Sequence, residues 1–293
     1  MANELTVFST ELADVVGKVG KSVVAVDARP RFGSSGVFWR PGVVVTAEHT
    51  IRREEEIEIA LPDGAKVSAT VAGSDPGTDI AVLKLEGNAG EAPKIASGDP
   101  APGNLALAIG RSPDSGVNAT MGIVSAVSGS WRTWRGGRLD RYIRLDLTMY
   151  PASSGGLVVN TNGEAIGIAT SALSRIAGLA IPASTVNRVV DEILSRGHVA
   201  RGYLGVGLQQ VELPDHHKGL IVLSLEPDGP AAKAGVLIGD VLVSLGGAAV
   251  TDTDDIQSVL ERHSVGQKID AGVVRGGAAL TIGVVIGERS RRN

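Results

Sequence analysis

The stretch that decides the fold reads Ser153-Ser154-Gly155-Gly156-Leu157-Val158-Val159. A hydroxyl followed by two glycines and then by an apolar run is typical of a nucleophile on a tight turn that leads into a buried strand. A serine hydroxyl attacks well only when a base takes its proton and nearby donors stabilise the oxyanion that forms. The stretch therefore predicts a base elsewhere in the chain.

The candidate base and its acidic partner lie upstream, each beside an apolar run. His49 ends the segment Thr46-Ala47-Glu48-His49, and Asp79 directly precedes Ile80-Ala81-Val82-Leu83. Each residue alone has an ordinary structural explanation, such as a turn cap for Asp79, and Asp75 in the same loop is a rival. The order His, Asp, Ser along the chain is that of chymotrypsin, not of subtilisin or the α/β-hydrolases. The three together predict a protease, with an esterase as the weaker alternative.

Composition limits the class of protein further. The chain has 293 residues, is 43% hydrophobic and only 3% aromatic, and contains 39 glycines. That length suits two domains, and the glycines suit many tight turns between short strands. A net charge of −4 without a lysine-rich block argues against nucleic acid as the main partner. Zero cysteines exclude disulfides, a thiol nucleophile and thiolate-bound metal.

The sequence also carries expectations about compartment. No apolar run approaches the roughly 20 residues that span a bilayer. The start, Met1-Ala2-Asn3-Glu4, lacks the basic and apolar regions of a secretory signal. We therefore expect either a cytoplasmic protein or a chain trimmed of its export segment.

Periodicity predicts two domains behind a short helix. Residues 23–181 consist of short apolar runs separated by turn residues, which indicates the strands of paired β-barrels. A helix should follow, capped by Ser184 or Thr185 and ended by Gly197. Its buried face should contain Val186, Val189, Val190, Ile193 and Leu194. An amphipathic helix is expected near the N-terminus, with Leu5, Phe8, Leu12, Val15 and Val16 on its apolar face.

The C-terminal region mixes strands with two predicted helices. The first should start at Pro230 and end before Gly235, because proline favours a helix start and glycine the position past its end. The second spans Asp252 to His263, and Ile256, Val259 and Leu260 should form its buried stripe.

These motifs together resemble the HtrA/Deg family of trypsin-like serine proteases that carry one PDZ domain. The segments around His49 and Asp79, the stretch 146–168 and the run Gly202-Tyr203-Leu204-Gly205-Val206 all match the family pattern. The resemblance favours Asp79 over Asp75 and Ser154 over Ser153. It implies a mostly β fold: a chymotrypsin-like double six-stranded β-barrel followed by a small α+β PDZ domain. The expected boundaries are 1–20 for the helical segment, 21–198 for the protease domain and 202–288 for the PDZ domain.

The resemblance also assigns roles to residues. His49, Asp79 and Ser154 would be catalytic, with Asp79 orienting the imidazole. The oxyanion hole would use Ala152, Ser153 and Ser154. The substrate pocket would contain Thr148, Met149, Tyr150, Thr170, Ser171 and Ala172. The carboxylate-binding loop of the PDZ domain would contain Tyr203, Leu204, Gly205 and Val206. No cofactor and no metal are implied; the adjacent His216 and His217, with Asp215, are expected to be exposed loop residues.

One departure from the family pattern concerns the oxyanion hole. The family's serine segment has glycine where this chain has Ala152. If that residue needs a left-handed conformation, alanine costs about 1–2 kcal/mol more than glycine. We expect a loop that rests with one donor turned away, and Tyr150 should narrow the substrate pocket. This departure supports an alternative function, a catalytically impaired scaffold that binds peptides through its PDZ domain.

Partners and location follow from the resemblance alone. It implies degradation of unfolded or misfolded proteins, binding of C-terminal peptides at the PDZ domain, and a homotrimer or higher oligomer assembled through the N-terminal segment. The basic, aromatic loop containing Trp131, Arg132, Trp134, Arg135, Arg138 and Arg141 is either a solvated loop or a regulatory loop. The family's compartment is the bacterial periplasm or cell envelope, and a membrane tether would belong to a segment outside this chain.

Overall fold

The computed structural model describes residues 3–29, 33–53, 55, 57–87, 90–213 and 218–288. Two compact units divide between Val199 and Ala200. The first unit opens with helix α1, Glu4–Val19, whose N-cap Asn3 accepts a hydrogen bond from the N–H of Leu5. As predicted, Leu12, Val15 and Val16 pack on the core. Leu5 and Phe8 do not: they are 73% and 39% exposed.

A closed six-stranded barrel follows α1. Its strands are β1 Val23–Asp27, β2 Ser34–Arg40, β3 Val43–Ala47, β4 Ile57–Ala60, β5 Lys66–Asp75 and β6 Ile80–Leu85, in the order β1-β2-β3-β6-β5-β4. All pairs are antiparallel. Aliphatic side chains from these strands, together with Phe38, fill the interior.

A second closed barrel repeats this architecture. It contains β7 Leu105–Ser112, β8 Gly116–Ser128, β11 Tyr142–Asp146, β12 Leu157–Val159, β13 Ala165–Thr170 and β14 Gly178–Pro182, in the order β11-β14-β13-β12-β7-β8. Between β8 and β11 the chain forms a two-stranded hairpin, β9 Trp131–Arg132 and β10 Arg138–Leu139. The predicted double barrel is therefore confirmed.

One hydrophobic cluster joins the two barrels to helix α2, Ala183–Arg196. The cluster contains Val45 and Ile80 from the first barrel, Leu157 from the second, and Val189 from α2. Burial of this shared apolar surface keeps the facing ends of the two barrels packed against each other. The loops that follow β3, β5 and the turn before β12 consequently meet between the barrels.

The structure corrects one detail of α2. The helix begins at Ala183 with Pro182 as its N-cap and no side-chain cap, so the prediction of Ser184 or Thr185 as the cap is wrong. The Thr185 hydroxyl instead accepts a hydrogen bond from the N–H of Asp140 at 2.8 Å, which joins the helix to the segment between β10 and β11. Gly197 ends the helix with a φ of 80°, as predicted.

The second unit is a small α+β fold. It contains β15 Gly202–Tyr203, β16 Val206–Glu212, β17 Lys218–Leu225, α3 Pro230–Ala234, β18 Val241–Leu245, β19 Ala248–Ala249, α4 Thr253–Arg262, β20 Lys268–Arg275, β21 Ala278–Val285 and β22 Gly287–Glu288. Both predicted helices are present, and Ile256, Val259 and Leu260 are buried on α4. Strand β16 lies at one edge of the main sheet.

No helix in the described part of the chain has the length and apolar character that crossing a bilayer requires.

Candidate active site

A histidine and a buried carboxylate from the first barrel form one half of the site. His49 lies in a single helical turn after β3, and Asp79 directly precedes β6 with a φ of 59°. The Asp79 side chain is fully buried. Its Oδ2 lies 2.9 Å from Nδ1 of His49, and its Oδ1 accepts the His49 backbone N–H, also at 2.9 Å. These contacts fix the imidazole orientation and favour the tautomer that leaves Nε2 available as a base.

A hydroxyl of the second barrel completes the support of this carboxylate. Thr170, the last residue of β13, donates from Oγ1 to Oδ2 of Asp79 at 2.5 Å. Asp75, the rival acid, accepts the hydroxyl and N–H of Thr78 and thereby caps its own turn. The structure brings Asp79, not Asp75, to His49.

Ser154 lies on a glycine-dependent turn between the barrels. The N–H of Gly156 bonds to the carbonyl of Ser153 at 3.0 Å, and Gly155 has a φ of 83°. These are the features of a type II turn, whose third position requires glycine. A Cβ on Gly155 would clash with the carbonyl of Ser35 on β2. The two glycines of the opening stretch thus let the Ser154 turn approach the first barrel.

The turn immediately before it has a different geometry. The N–H of Ser153 bonds to the carbonyl of Tyr150 at 2.8 Å, with Pro151 and Ala152 in the central positions. Ala152 has no left-handed φ, so this turn is type I. Types I and II differ by a rotation of the central peptide. The N–H of Ala152 therefore points to one side of the turn. In a type II turn with glycine at this position, the same N–H would point to the opposite side.

Two side chains of the first barrel hold this turn in place. Arg29 donates to the carbonyl of Pro151 at 3.0 Å. Ser35 donates from Oγ to the carbonyl of Ala152 at 2.5 Å, and its backbone N–H bonds to the carbonyl of Ser154 at 3.1 Å. Both contacts join residues that are distant in sequence, and sequence reasoning identified neither Arg29 nor Ser35.

The Ser154 hydroxyl bonds to another serine in this structure. Its Oγ lies 3.1 Å from Oγ of Ser171. Among the described residues no hydrogen bond joins Ser154 to His49, although Ser154 is 97% buried beside the histidine's loop. Ser171 was predicted as a pocket residue, and its contact with Ser154 was not foreseen.

The predicted pocket residues occupy the rim of the second barrel. Met149 is half-buried and packs on the barrel's interior cluster; a Cβ on Gly178 would lie 2.8 Å from its Cγ. Thr148 and Tyr150 are exposed, Tyr150 by 57%. The N–H of Ala172 bonds to the Thr170 hydroxyl at 3.1 Å, which holds the start of the following loop against the site.

The hairpin β9–β10 contacts the loops that carry His49 and Asp79. Thr133 donates from Oγ1 to the carbonyl of Gly77 at 2.7 Å, and Arg135 lies 3.3 Å from Oε2 of Glu48. Burial, and then the negative charge of Asp79, raise the pKa of the Glu48 carboxyl, while Arg135 opposes this shift. This basic, aromatic segment is therefore packed against the first barrel and is not a fully solvated loop.

The second unit carries the predicted carboxylate-binding loop beside an open strand edge. Gly205 has a φ of 75°, and its carbonyl accepts the N–H of Glu226 at 2.9 Å. The carbonyl of Leu204 accepts the N–H of Ala231 at 2.9 Å, which ties the loop to α3. Within the described residues the N–H groups of Leu204 and Gly205 have no acceptor. Tyr203 ends β15, and Val206 begins β16 at the sheet edge.

Metal ligands are not grouped in the described part of the chain, where no three His, Asp or Glu side chains come together. The candidates Asp215, His216 and His217 lie outside the described residues.

Comparison with known families matches both units. Residues 34–168 match the model of a trypsin-like peptidase domain, and residues 202–286 match that of a PDZ domain. A curated relative from Brucella suis, named "Probable periplasmic serine endoprotease DegP-like", is 35% identical over 269 residues, covering 87% of this chain and 52% of the relative. A relative of the same name from Marinomonas is 33% identical over 276 residues, covering 89% and 58%. The chain thus spans about half the length of these relatives.

Solved structures match over nearly their whole length. The serine endoprotease from Yersinia pestis is 29% identical, with a TM-score of 0.81 and coverage of 95% of this chain and 98% of that one. The structure described as "HtrA-type protease AlgW with tripeptide" is 30% identical, with a TM-score of 0.76 and coverage of 96% and 98%. Fold, domain order and sequence agree: the chain belongs to the HtrA family of trypsin-like serine proteases, in which a peptidase domain precedes a PDZ domain.

Proposed function

We propose that this protein is a serine endopeptidase in which Ser154 is the nucleophile, His49 the general base and Asp79 the orienting acid. The observation that carries the proposal is the buried Asp79 carboxylate, held by Thr170 and bonded to Nδ1 of His49 at 2.9 Å. A carboxylate buried without water is costly unless hydrogen bonds satisfy it, and here those bonds orient one imidazole. The Ser154 turn lies opposite, on the second barrel.

The reaction follows from these positions. Oγ of Ser154 attacks the carbonyl carbon of a peptide bond while its proton passes to Nε2 of His49. The carbonyl oxygen becomes an oxyanion, for which the backbone N–H groups of Ala152 and Ser154 are the proposed donors, with Ser153 between them. His49 then protonates the departing amine, and water hydrolyses the acyl-enzyme by the same sequence of proton transfers. In the resting geometry two adjustments must precede attack: the Ser154 hydroxyl turns toward His49, and the central peptide of the Tyr150–Ser153 turn rotates.

The proposed substrates are unfolded or misfolded proteins. Trypsin-like sites bind extended chains, which folded proteins seldom offer. Met149 is half-buried beside Gly178, and we propose that these two residues bound a pocket for a small aliphatic residue before the cleaved bond. Thr148, Tyr150, Ser171 and Ala172 form the rest of the proposed rim.

The PDZ domain is proposed to bind C-terminal peptides. The open edge of β16 can pair with an added strand, and the N–H groups of Leu204 and Gly205 can donate to a terminal carboxylate. An apolar cavity lined by Leu204, Val206 and Leu208 lies beside this loop and suits an apolar last residue. Such binding would regulate or feed the peptidase domain.

Assembly and compartment are proposed from the exposed face of α1 and from the relatives' names. Helix α1 exposes the apolar side chains of Leu5, Val7 and Phe8, which a homotrimer contact would bury. The relatives' names place them in the periplasm, and we propose the bacterial cell envelope for this chain as well.

Cleavage of unfolded casein tests the proposal. We expect the wild type to cleave and Ser154→Ala to lose roughly 10³-fold or more in rate, as removal of a triad nucleophile does. Ser153→Ala, a matched change at the adjacent buried serine, should retain measurable cleavage. Equal cleavage by wild type and Ser154→Ala would overturn the assignment of the nucleophile. A folded wild type that binds peptides and leaves casein intact would favour the peptide-binding scaffold.

A further inference from the structure

Two consecutive hydroxyl residues at the end of β13 hold two different members of the proposed triad. Thr170 bonds to Asp79, and Ser171 bonds to Ser154. Strand β13 ends at Thr170 and Ser171 follows directly, so this strand end contacts both Asp79 and Ser154. The first contact supports a group needed for catalysis, whereas the second engages the nucleophile itself.

The position of Ser171 is fixed by its neighbours. Thr170 is fully buried, pairs with Leu179 of β14 and donates to Asp79. The N–H of Ala172 bonds back to the Thr170 hydroxyl. Hydrogen bonds therefore hold the backbone on both sides of Ser171, whose hydroxyl lies 3.1 Å from that of Ser154.

From this contact we infer that Ser171 is a positioning residue that restrains the Ser154 hydroxyl away from His49 in the resting enzyme; the inference rests on the function proposed above. A serine hydroxyl has one proton and a limited set of lone pairs. If Ser154 donates to Ser171, its proton is not directed to His49. If Ser171 donates, it occupies a lone pair of the attacking oxygen. In both arrangements the contact must break, or weaken, before attack.

The size of the effect is that of one hydrogen bond. A neutral hydrogen bond that competes with water contributes about 0.5–1.5 kcal/mol, which corresponds to a change of roughly two- to twelvefold in rate. Removal of the Ser171 hydroxyl should therefore raise the reactivity of Ser154 by a factor in that range. Ser171 itself is exposed, so its replacement by alanine should leave stability nearly unchanged.

Covalent labelling with a small fluorophosphonate tests this inference on the full chain. Oγ of Ser154 forms a bond to phosphorus, fluoride leaves, and the serine proton passes to His49 and then to water. The second-order rate constant should rise about two- to twelvefold in Ser171→Ala. Ser171→Thr, which keeps a hydroxyl, should react like the wild type, and so should Ser174→Ala, a control in the same loop. For casein-derived peptides, kcat should rise in Ser171→Ala while the pH midpoint of the rate profile stays the same as in the wild type.

The outcomes separate the two proposals. Labelling of Ser171→Ala at the wild-type rate, or more slowly, would overturn the restraint while leaving the protease assignment intact. Faster labelling accompanied by equally fast labelling of Ser171→Thr would show that the hydroxyl is not responsible and would also overturn it. If no variant is labelled and Ser154→Ala behaves identically, the proposed function fails and this inference fails with it.

Discussion

Replacement of Ala152 by glycine should activate the protein. Ala152 occupies the third position of the Tyr150–Ser153 turn, where a left-handed φ would be needed for the type II form. In the type II form the peptide between residues 151 and 152 is rotated relative to the type I form. The N–H of residue 152 then points to the side opposite to the one it faces in the present structure. Glycine removes the steric barrier to this rotation because it has no Cβ.

The magnitude follows from the cost of the left-handed region. An alanine there is about 1–2 kcal/mol less favourable than a glycine, so Ala152→Gly should raise the population of the rotated turn about five- to thirtyfold. One oxyanion donor is worth roughly 10²–10³ in rate. If the resting population of the rotated turn limits turnover, the rate should rise by the population factor. The hydrogen bond from Arg29 to the carbonyl of Pro151 favours the present orientation of the central peptide. It therefore reduces, but does not abolish, the increase in cleavage rate.

The assay compares casein cleavage by the wild type, Ala152→Gly and the double variant Ala152→Gly/Ser154→Ala. We expect the single variant to be about five- to thirtyfold faster than the wild type and the double variant to be inactive. A change in thermal stability below about 1 kcal/mol would confirm that only the turn has altered. Equal or lower activity of Ala152→Gly, in a folded protein, would refute the argument that the alanine turn limits catalysis.

Two further predictions concern packing and acid stability. An added Cβ at Gly137 would clash with the backbone of Gly77, so Gly137→Ala should lower casein cleavage and cost about 1–3 kcal/mol in unfolding free energy. The control Gly129→Ala should be nearly neutral, because nothing lies within 4 Å of an added Cβ there. Equal effects of the two changes would contradict the packing argument. Hydrogen bonds from Arg275 lower the pKa of Asp240, so the stability that this pair contributes is present above about pH 4, the unfolded value, and is lost as pH falls through the folded pKa. Thermal melts should show this acid loss in the wild type and a weaker one in Asp240→Asn; an unchanged acid limb would count against the pair.

Local patterns predicted most of the fold. Alternating short apolar runs indicated the barrels, and proline and glycine marked both ends of α3. The N-cap of α2 was misassigned because a hydroxyl near a helix start is an ordinary cap signal, whereas the Thr185 hydroxyl accepts a hydrogen bond from Asp140, which lies between β10 and β11. Sequence spacing carries no information about that competing long-range partner.

In the candidate site, too, local patterns identified some residues and missed the contacts between distant ones. His49, Asp79 and Ser154 were identified because each adjoins an apolar run, and the family resemblance selected among rivals. The contacts of Arg29 with Pro151 and of Ser171 with Ser154 were missed because each depends on how two loops meet. Side chains that act through distant partners leave no local signal, so only the folded geometry identifies them.

The division of the site between two barrels has a consequence for the order in which the protein is made. Synthesis proceeds from the N-terminus, and His49 and Asp79 leave the ribosome before Ser154 and before Thr170, which braces the carboxylate. A partly synthesised chain therefore holds the proposed base without the proposed nucleophile. In the proposed mechanism the site is complete only after β13 and β14 have closed the second barrel, so other nascent proteins nearby are not exposed to a partly formed site.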